Sequence, residues 1–127
     1  MTGKRTIISA DRLFDGTGRP PIAQGVVTVE GDTIVAVGTQ AEAEAHAGAD
    51  AEHIHFAGDT TILPGLVDVH THLMMPGDAT PYQVFMRYDD AILVMQAAAN
   101  ARRALHAGIT TVADTGSRDL TTFLLRD

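Results

Sequence analysis

The chain has no cysteine, and Lys4 is the one lysine among its nine cationic side chains. Without cysteine, disulfides and thiolate metal sites are excluded, so any metal must be held by His, Asp or Glu. A net charge of −7 argues against a nucleic-acid or anionic-membrane partner, because both reward clustered Lys and Arg. No apolar run approaches the roughly 18 residues of a membrane span. The opening "MTGKRTIISADRLFDG" has neither an apolar signal core nor a small-residue cleavage signature, so the expected location is cytoplasmic.

What remains is an ordinary globular composition, 45 % hydrophobic and 20 % charged, in 127 residues, which allows one ordinary domain with a modest core. Residues 6–13 read as a short strand, followed by the turn-rich "FDGTGRPP". "GVVTVEGDTIVAVG" is a hairpin signal, two β-branched runs about Gly31-Asp32. A lone hairpin is not stable in water, so it must join a larger sheet. The Ala/Glu-rich residues 39–52 are expected to form a short helix broken at Gly48, and otherwise a solvated connector. "HIHFAGDTTILPG" returns to strand structure.

After Pro64-Gly65 the pattern changes. "LVDVHTHL" reads as a strand, apolar at Leu66, Val67, Val69 and Leu73, with Asp68, His70 and His72 sharing one parity. Residues 74–88 read as a long loop. Residues 89–106 are the clearest helix, started by Asp89 and Asp90 and followed by Gly108 as its C′ residue. Ile92, Met95, Ala99, Arg102 and Arg103 make its face amphipathic in the second half only. Residues 109–114 are another strand, and "TGSRDLTTFLLRD" opens a second helix with Ser117 as the expected N-cap. Strand, loop, helix, strand is a βαβ unit, which favours a parallel sheet. The part before it is all-β. The expected division is residues 1–62 and residues 63–127.

In a strand, residues i and i+2 face the same way, so His70 and His72 project together with Asp68 below them. Two neutral imidazoles at this spacing can converge on a divalent cation, or simply face solvent, and spacing alone leaves both open. Asp68 either orients a metal-bound imidazole or fills a polar layer. Asp114 ends the second strand on the same rim and is either a substrate contact or a cap carboxylate. Arg87 either meets a substrate carboxylate or is a surface arginine. Met74 and Met75 either wall a pocket or fill a loop core. His53-Ile54-His55 repeats the H-x-H spacing inside the presumed small sheet and reads as exposed alternation. His46 reads as a surface residue, and His106 as a cation in a last helical turn.

"ILPGLVDVHTHL" resembles the metal-binding strand of the amidohydrolase superfamily, usually P-G-[LIF]-[IV]-D-x-H-x-H. "ADRLFDGTG" and "GVVTVEGDTIVAVG" resemble the small β-sandwich that precedes the barrel in many of these enzymes. "GITTVADTG" is similar to the second-strand segment of the branch containing imidazolonepropionase-like and Xaa-Pro dipeptidase-like members. Many relatives carry Arg where this sequence has Ala113. The resemblance implies a mixed fold: a small N-terminal β-sandwich portion, then the first βα units of a (β/α)8 TIM barrel, incomplete in this chain. It implies one or two divalent metals, commonly zinc, with Mn, Ni or Fe as alternatives. His70 and His72 would be metal ligands, and metal-activated water would hydrolyse an amide bond of a small molecule. Dipeptides, N-acyl amino acids and cyclic amides are the candidate substrates.

A full barrel needs about 250 residues, and this chain reaches only its second strand. The family's bridging carboxylated lysine or glutamate, two further histidines and the acid/base aspartate would come from later strands. Lys4 is in the wrong place to bridge metals. The expected partner is therefore a complementary C-terminal barrel polypeptide, or the remainder of the same chain. Homo-oligomerisation of the assembled enzyme is compatible with this. Two other readings stand beside it: a noncatalytic truncated fragment or interaction module, and a deaminase of the same superfamily.

Overall fold

A computed structural model describes residues 4–48 and 50–127, in two compact units, Met1–Pro64 and Gly65–Asp127. In the first unit, β1 (Arg5–Leu13), β2 (Ile22–Ala23), β3 (Gly25–Glu30), β4 (Thr33–Thr39) and β5 (Glu52–Ile62) make one five-stranded sheet. β1 is its spine. Residues 6–9 pair antiparallel with β3 and also parallel with β5, so both edges of β1 are occupied. β2 continues along β1 in the register of β3. The β3–β4 hairpin turns at Gly31, whose φ of 64° is left-handed backbone that glycine adopts without steric cost.

Beyond β4 lies α1 (Gln40–Ala47), started by a capping box. The Glu42 carboxylate accepts from the Thr39 N–H at 2.7 Å and from the Thr39 hydroxyl at 2.9 Å. Those bonds hold its pKa below the ordinary value. The helix stops at Gly48, with φ of 75°, and buries Ala43 against Ile7 and Val26 of the sheet. Lys4 is a solvated charge, with its Nζ 2.9 Å from the exposed Glu52 carboxylate.

The second unit contains β6 (Leu66–Thr71), α2 (Pro81–Arg87), α3 (Asp90–His106), β7 (Ile109–Asp114) and α4 (Thr121–Arg126). β6 and β7 are parallel neighbours, as a βαβ reading requires. Four expectations need correction. The strand stops at Thr71, so His72 lies just past it. The stretch read as a loop, residues 74–88, contains α2. Asp78 accepts from the N–H and hydroxyl of Thr80, and Pro81 supplies pre-set helical φ in the first turn. The buried face of α3 is Leu93 and Ala97, while Ile92 and Met95 are exposed. The N-cap of α4 is Leu120, not Ser117, because Asp119 takes a left-handed φ of 51° immediately before it.

The core of this unit is Leu73, Met74, Leu93 and Ala97, ringed by Val84, Phe85, Val112 and Leu125. It therefore sits directly behind the turn that follows β6. No helix among the described residues is long and apolar enough to cross a membrane.

Candidate metal centre

His70 is exposed on the last turn of pleat in β6, and His72 is the first residue beyond the strand. Their rings stand edge to face, 5.3 Å between centroids and 87° between planes. The ring of His72 is held by what surrounds residues 72–75. The Met75 N–H donates to the His72 carbonyl at 2.9 Å, closing a tight turn. The Leu73 N–H donates to Asp114 at 3.0 Å. The Asn100 amide, reaching out from α3, donates to the carbonyls of Leu73 at 2.7 Å and Met75 at 2.8 Å. Gln96 and Arg103 donate to the oxygen of that same amide, which fixes which way it faces. Leu73 and Met74 meanwhile drive their side chains into the core. The turn is thus pinned from both strands and from α3.

Gly116 supplies the wall on the other side. A Cβ there would collide with Nδ1 and Cε1 of His72, so only glycine allows this approach. Nδ1 of His72 is buried and has no hydrogen-bond partner. With Nδ1 enclosed, Nε2 is the nitrogen left to meet a ligand.

The other anticipated site residues take more local parts. Asp68 accepts the His70 N–H at 3.1 Å and bonds to neither imidazole among the described residues. Asp114 is half-buried and divides its oxygens between the Leu73 N–H and the Gly116 N–H, at 3.0 and 3.1 Å. It ties the two strand ends together. Arg87 is exposed in the last turn of α2. Met74 is buried in the core and Met75 packs against it. His53 and His55 lie exposed on β5, with His55 Nδ1 3.0 Å from the Ser9 hydroxyl. His46 bonds the Glu42 carbonyl on α1, and His106 ends α3.

Two residues that matter here carry no motif of their own, Asn100 and Arg118, while Gly116 closes the GITTVADTG segment. Arg118 lies beyond β7 and pins the α2–α3 junction. Its guanidinium reaches Asp90 at 2.6 Å and the carbonyls of Phe85 and Tyr88 at 2.8 and 2.6 Å, and lies over the Phe85 ring.

Two imidazoles are a partial ligand set. A catalytic zinc commonly takes three protein ligands and a water, and no group of three metal-binding side chains occurs among the described residues. The donors nevertheless suit a borderline divalent ion, because one ring presents Nε2 from a rigid wall beside a second imidazole.

A parallel strand pair, with polar residues gathered beyond its C-terminal ends, defines an α/β fold of the kind whose chemistry sits on that rim. The chain belongs to the amidohydrolase family, whose profile matches residues 61–126. An imidazolonepropionase from Bacillus cereus (strain G9842) is 45 % identical over 58 residues, covering 46 % of this chain and 13 % of the relative. An enamidase from Eubacterium barkeri is 33 % identical over 115 residues, covering 90 % of this chain and 26 % of the relative. A solved Xaa-Pro dipeptidase with methionine bound in its active site aligns with a TM-score of 0.77 and 23 % identity, over 98 % of this chain and 29 % of that one. At that identity the likeness is one of fold. The chain spans between 13 % and 26 % of the length of these two curated relatives.

Proposed function

We propose that this chain forms the N-terminal part of a metal-dependent amidohydrolase, with His70 and His72 as two ligands of a divalent ion, zinc by preference. The observation that carries this reading is the edge-to-face imidazole pair at the C-terminal end of a parallel strand, inside the segment that matches the family. A metal bound there would supply Lewis acidity and an activated water for hydrolysis of a C–N bond. The chain's own contribution is to hold the two rings still. An amide in a dipeptide, an N-acyl amino acid or a cyclic amide is the substrate class, and the name of the enamidase relative supports C–N chemistry of this kind.

On this reading further barrel strands cover the second unit, whether from the same chain or a second one. Val67, Val69 and Met95 are 63, 72 and 73 % exposed, more than a water-facing surface needs. The five-stranded sheet of the first unit would be one layer of a small sandwich. The remaining ligands and the acid/base carboxylate would come from the covering strands.

The test is metal analysis and native mass spectrometry of the purified protein, with His70→Ala and His72→Ala beside it, and hydrolysis assays on the three amide classes. The reading requires one or two divalent ions in the assembled species, loss of metal in both variants, and hydrolysis only when the covering segment is present. Equal metal content in wild type and variants refutes it. A second reading, a noncatalytic interaction module, draws on the absence of a third ligand among the described residues. A monodisperse, metal-free chain with no activity in any assembly would favour it.

A further inference from the structure

Two buried polar atoms in the second unit have no hydrogen-bond partner, and they belong to neighbouring segments. One is Nδ1 of His72 and the other is Oγ of Ser117. Ser117 follows Gly116, whose missing side chain is what lets the backbone lie against Nδ1 and Cε1 of that ring. The chain is fixed on both sides of this contact. Asp114 accepts the Gly116 N–H, and Arg118 is anchored through its N–H to the Met74 sulfur and through its guanidinium to Asp90.

The orphan pair is chemically complementary. A neutral imidazole can carry its proton on Nδ1 and donate it, and a serine hydroxyl can accept as well as donate. Buried polar groups with no partner are rare and call for an explanation. A serine hydroxyl changes direction by rotation about one bond, with no movement of the backbone.

We propose that Ser117 is a positioning residue for His72. Its hydroxyl accepts the Nδ1 proton, holds the ring in the Nδ1–H tautomer, and so leaves Nε2 unprotonated as the ligand atom. The proposal rests on the reading of His72 as a metal ligand. A metal-ligating imidazole ordinarily donates its second ring proton to such a partner, and loss of that partner costs about 10- to 100-fold in metal affinity. As the side chains stand, Nδ1 bonds to no group among the described residues, Ser117 included, so the bond requires the hydroxyl to turn toward the ring.

The ring nitrogens report the bond directly. With the 127-residue protein labelled with 15N, two-bond proton–nitrogen correlations above the imidazole titration range distinguish the tautomers. Wild type is expected to show His72 as Nδ1–H. Ser117→Ala is expected to shift it toward a mixture of tautomers or toward Nε2–H, while Ser117→Thr, which keeps the hydroxyl, restores the wild-type pattern. Unchanged His72 nitrogens in Ser117→Ala, with the fold intact by amide spectra, overturn the proposal. Zinc added to the same samples separates this from the underlying reading. A response of His72 Nε2 in wild type that weakens about 10-fold or more in Ser117→Ala supports both. No response of either His70 or His72 to zinc, in the chain alone and in the assembled species, overturns the metal reading, and the tautomer result then decides the hydrogen bond by itself.

Discussion

The backbone of Gly116 and the imidazole of His72 are in direct contact, and the contact leaves no space for a side chain at residue 116. A glycine about 150 Å of extended chain away from the histidine is thereby part of its geometry. β7 carries it there, and Asp114 fixes it by accepting its N–H.

Replacing Gly116 by Ala is expected to push the His72 ring away from its wall. Overpacking of this kind costs about 1–3 kcal/mol. Thermal unfolding should show that loss, and zinc titration should show a larger effect at His72 than at His70. Ala in place of Gly77, where a Cβ meets open space, is the control and should change neither.

Asn100→Ala removes both donors to the turn that follows β6. The Leu73 and Met75 carbonyls are left without that partner, at a cost of about 1–3 kcal/mol for each buried group. Asn100→Asp should be no better, because a carboxylate facing two carbonyls has no proton to give. Urea unfolding of both variants checks this, with midpoints expected well below wild type and little change in slope.

Arg118→Lys keeps the charge but not the fork. A lysine is a single point of contact and cannot hold Asp90 and two carbonyls together. Hydrogen exchange should show α2 opening in the variant while β6 and β7 keep their protection. If α2 stays protected, the guanidinium is not what secures it.

Acid should act on the first unit at separable points. Asp15 has its pKa lowered to about 2, first by the Thr17 hydroxyl, then by the Thr17 N–H and by Arg19. A depressed carboxyl contributes stability above its unfolded value, and that contribution is lost as pH falls through the folded value. The turn at residues 15–19 should therefore hold until pH is near 2. A carbon-detected titration of Asp15 checks the midpoint, and Thr17→Val should move it upward toward 3.8.

Much of the fold was legible because its signals are local. The run ITTVAD and the hairpin about Gly31 needed only β-branched residues and a turn, and β7 and the β3–β4 pair follow them closely. The histidine pair was legible too, from two-residue spacing after a Pro-Gly break. α2 was not, because Pro76 and Pro81 suggested an irregular segment. Thr80-Pro81, a residue at the cap followed by proline in the first turn, was the available signal. The cap of α4 was missed because the left-handed Asp119 interrupts the chain after Ser117. Asn100 and Arg118 were illegible for a different reason. Their partners are main-chain carbonyls 25 to 33 residues away, and carbonyls leave no mark on a sequence.

The placement of β1 has a consequence for the order in which the chain can mature on a ribosome. One edge of β1 closes on the hairpin that begins at Gly25, but the other waits for β5, with Ser9 and His55 46 positions apart. Translation delivers about 5–20 residues per second, and distant parallel pairings form more slowly than local ones. A nascent chain halted before β5 would hold β1 with one edge bare, a template for the wrong neighbour. The first unit therefore becomes safe from mispairing only when the segment leading into the histidine strand has itself been made.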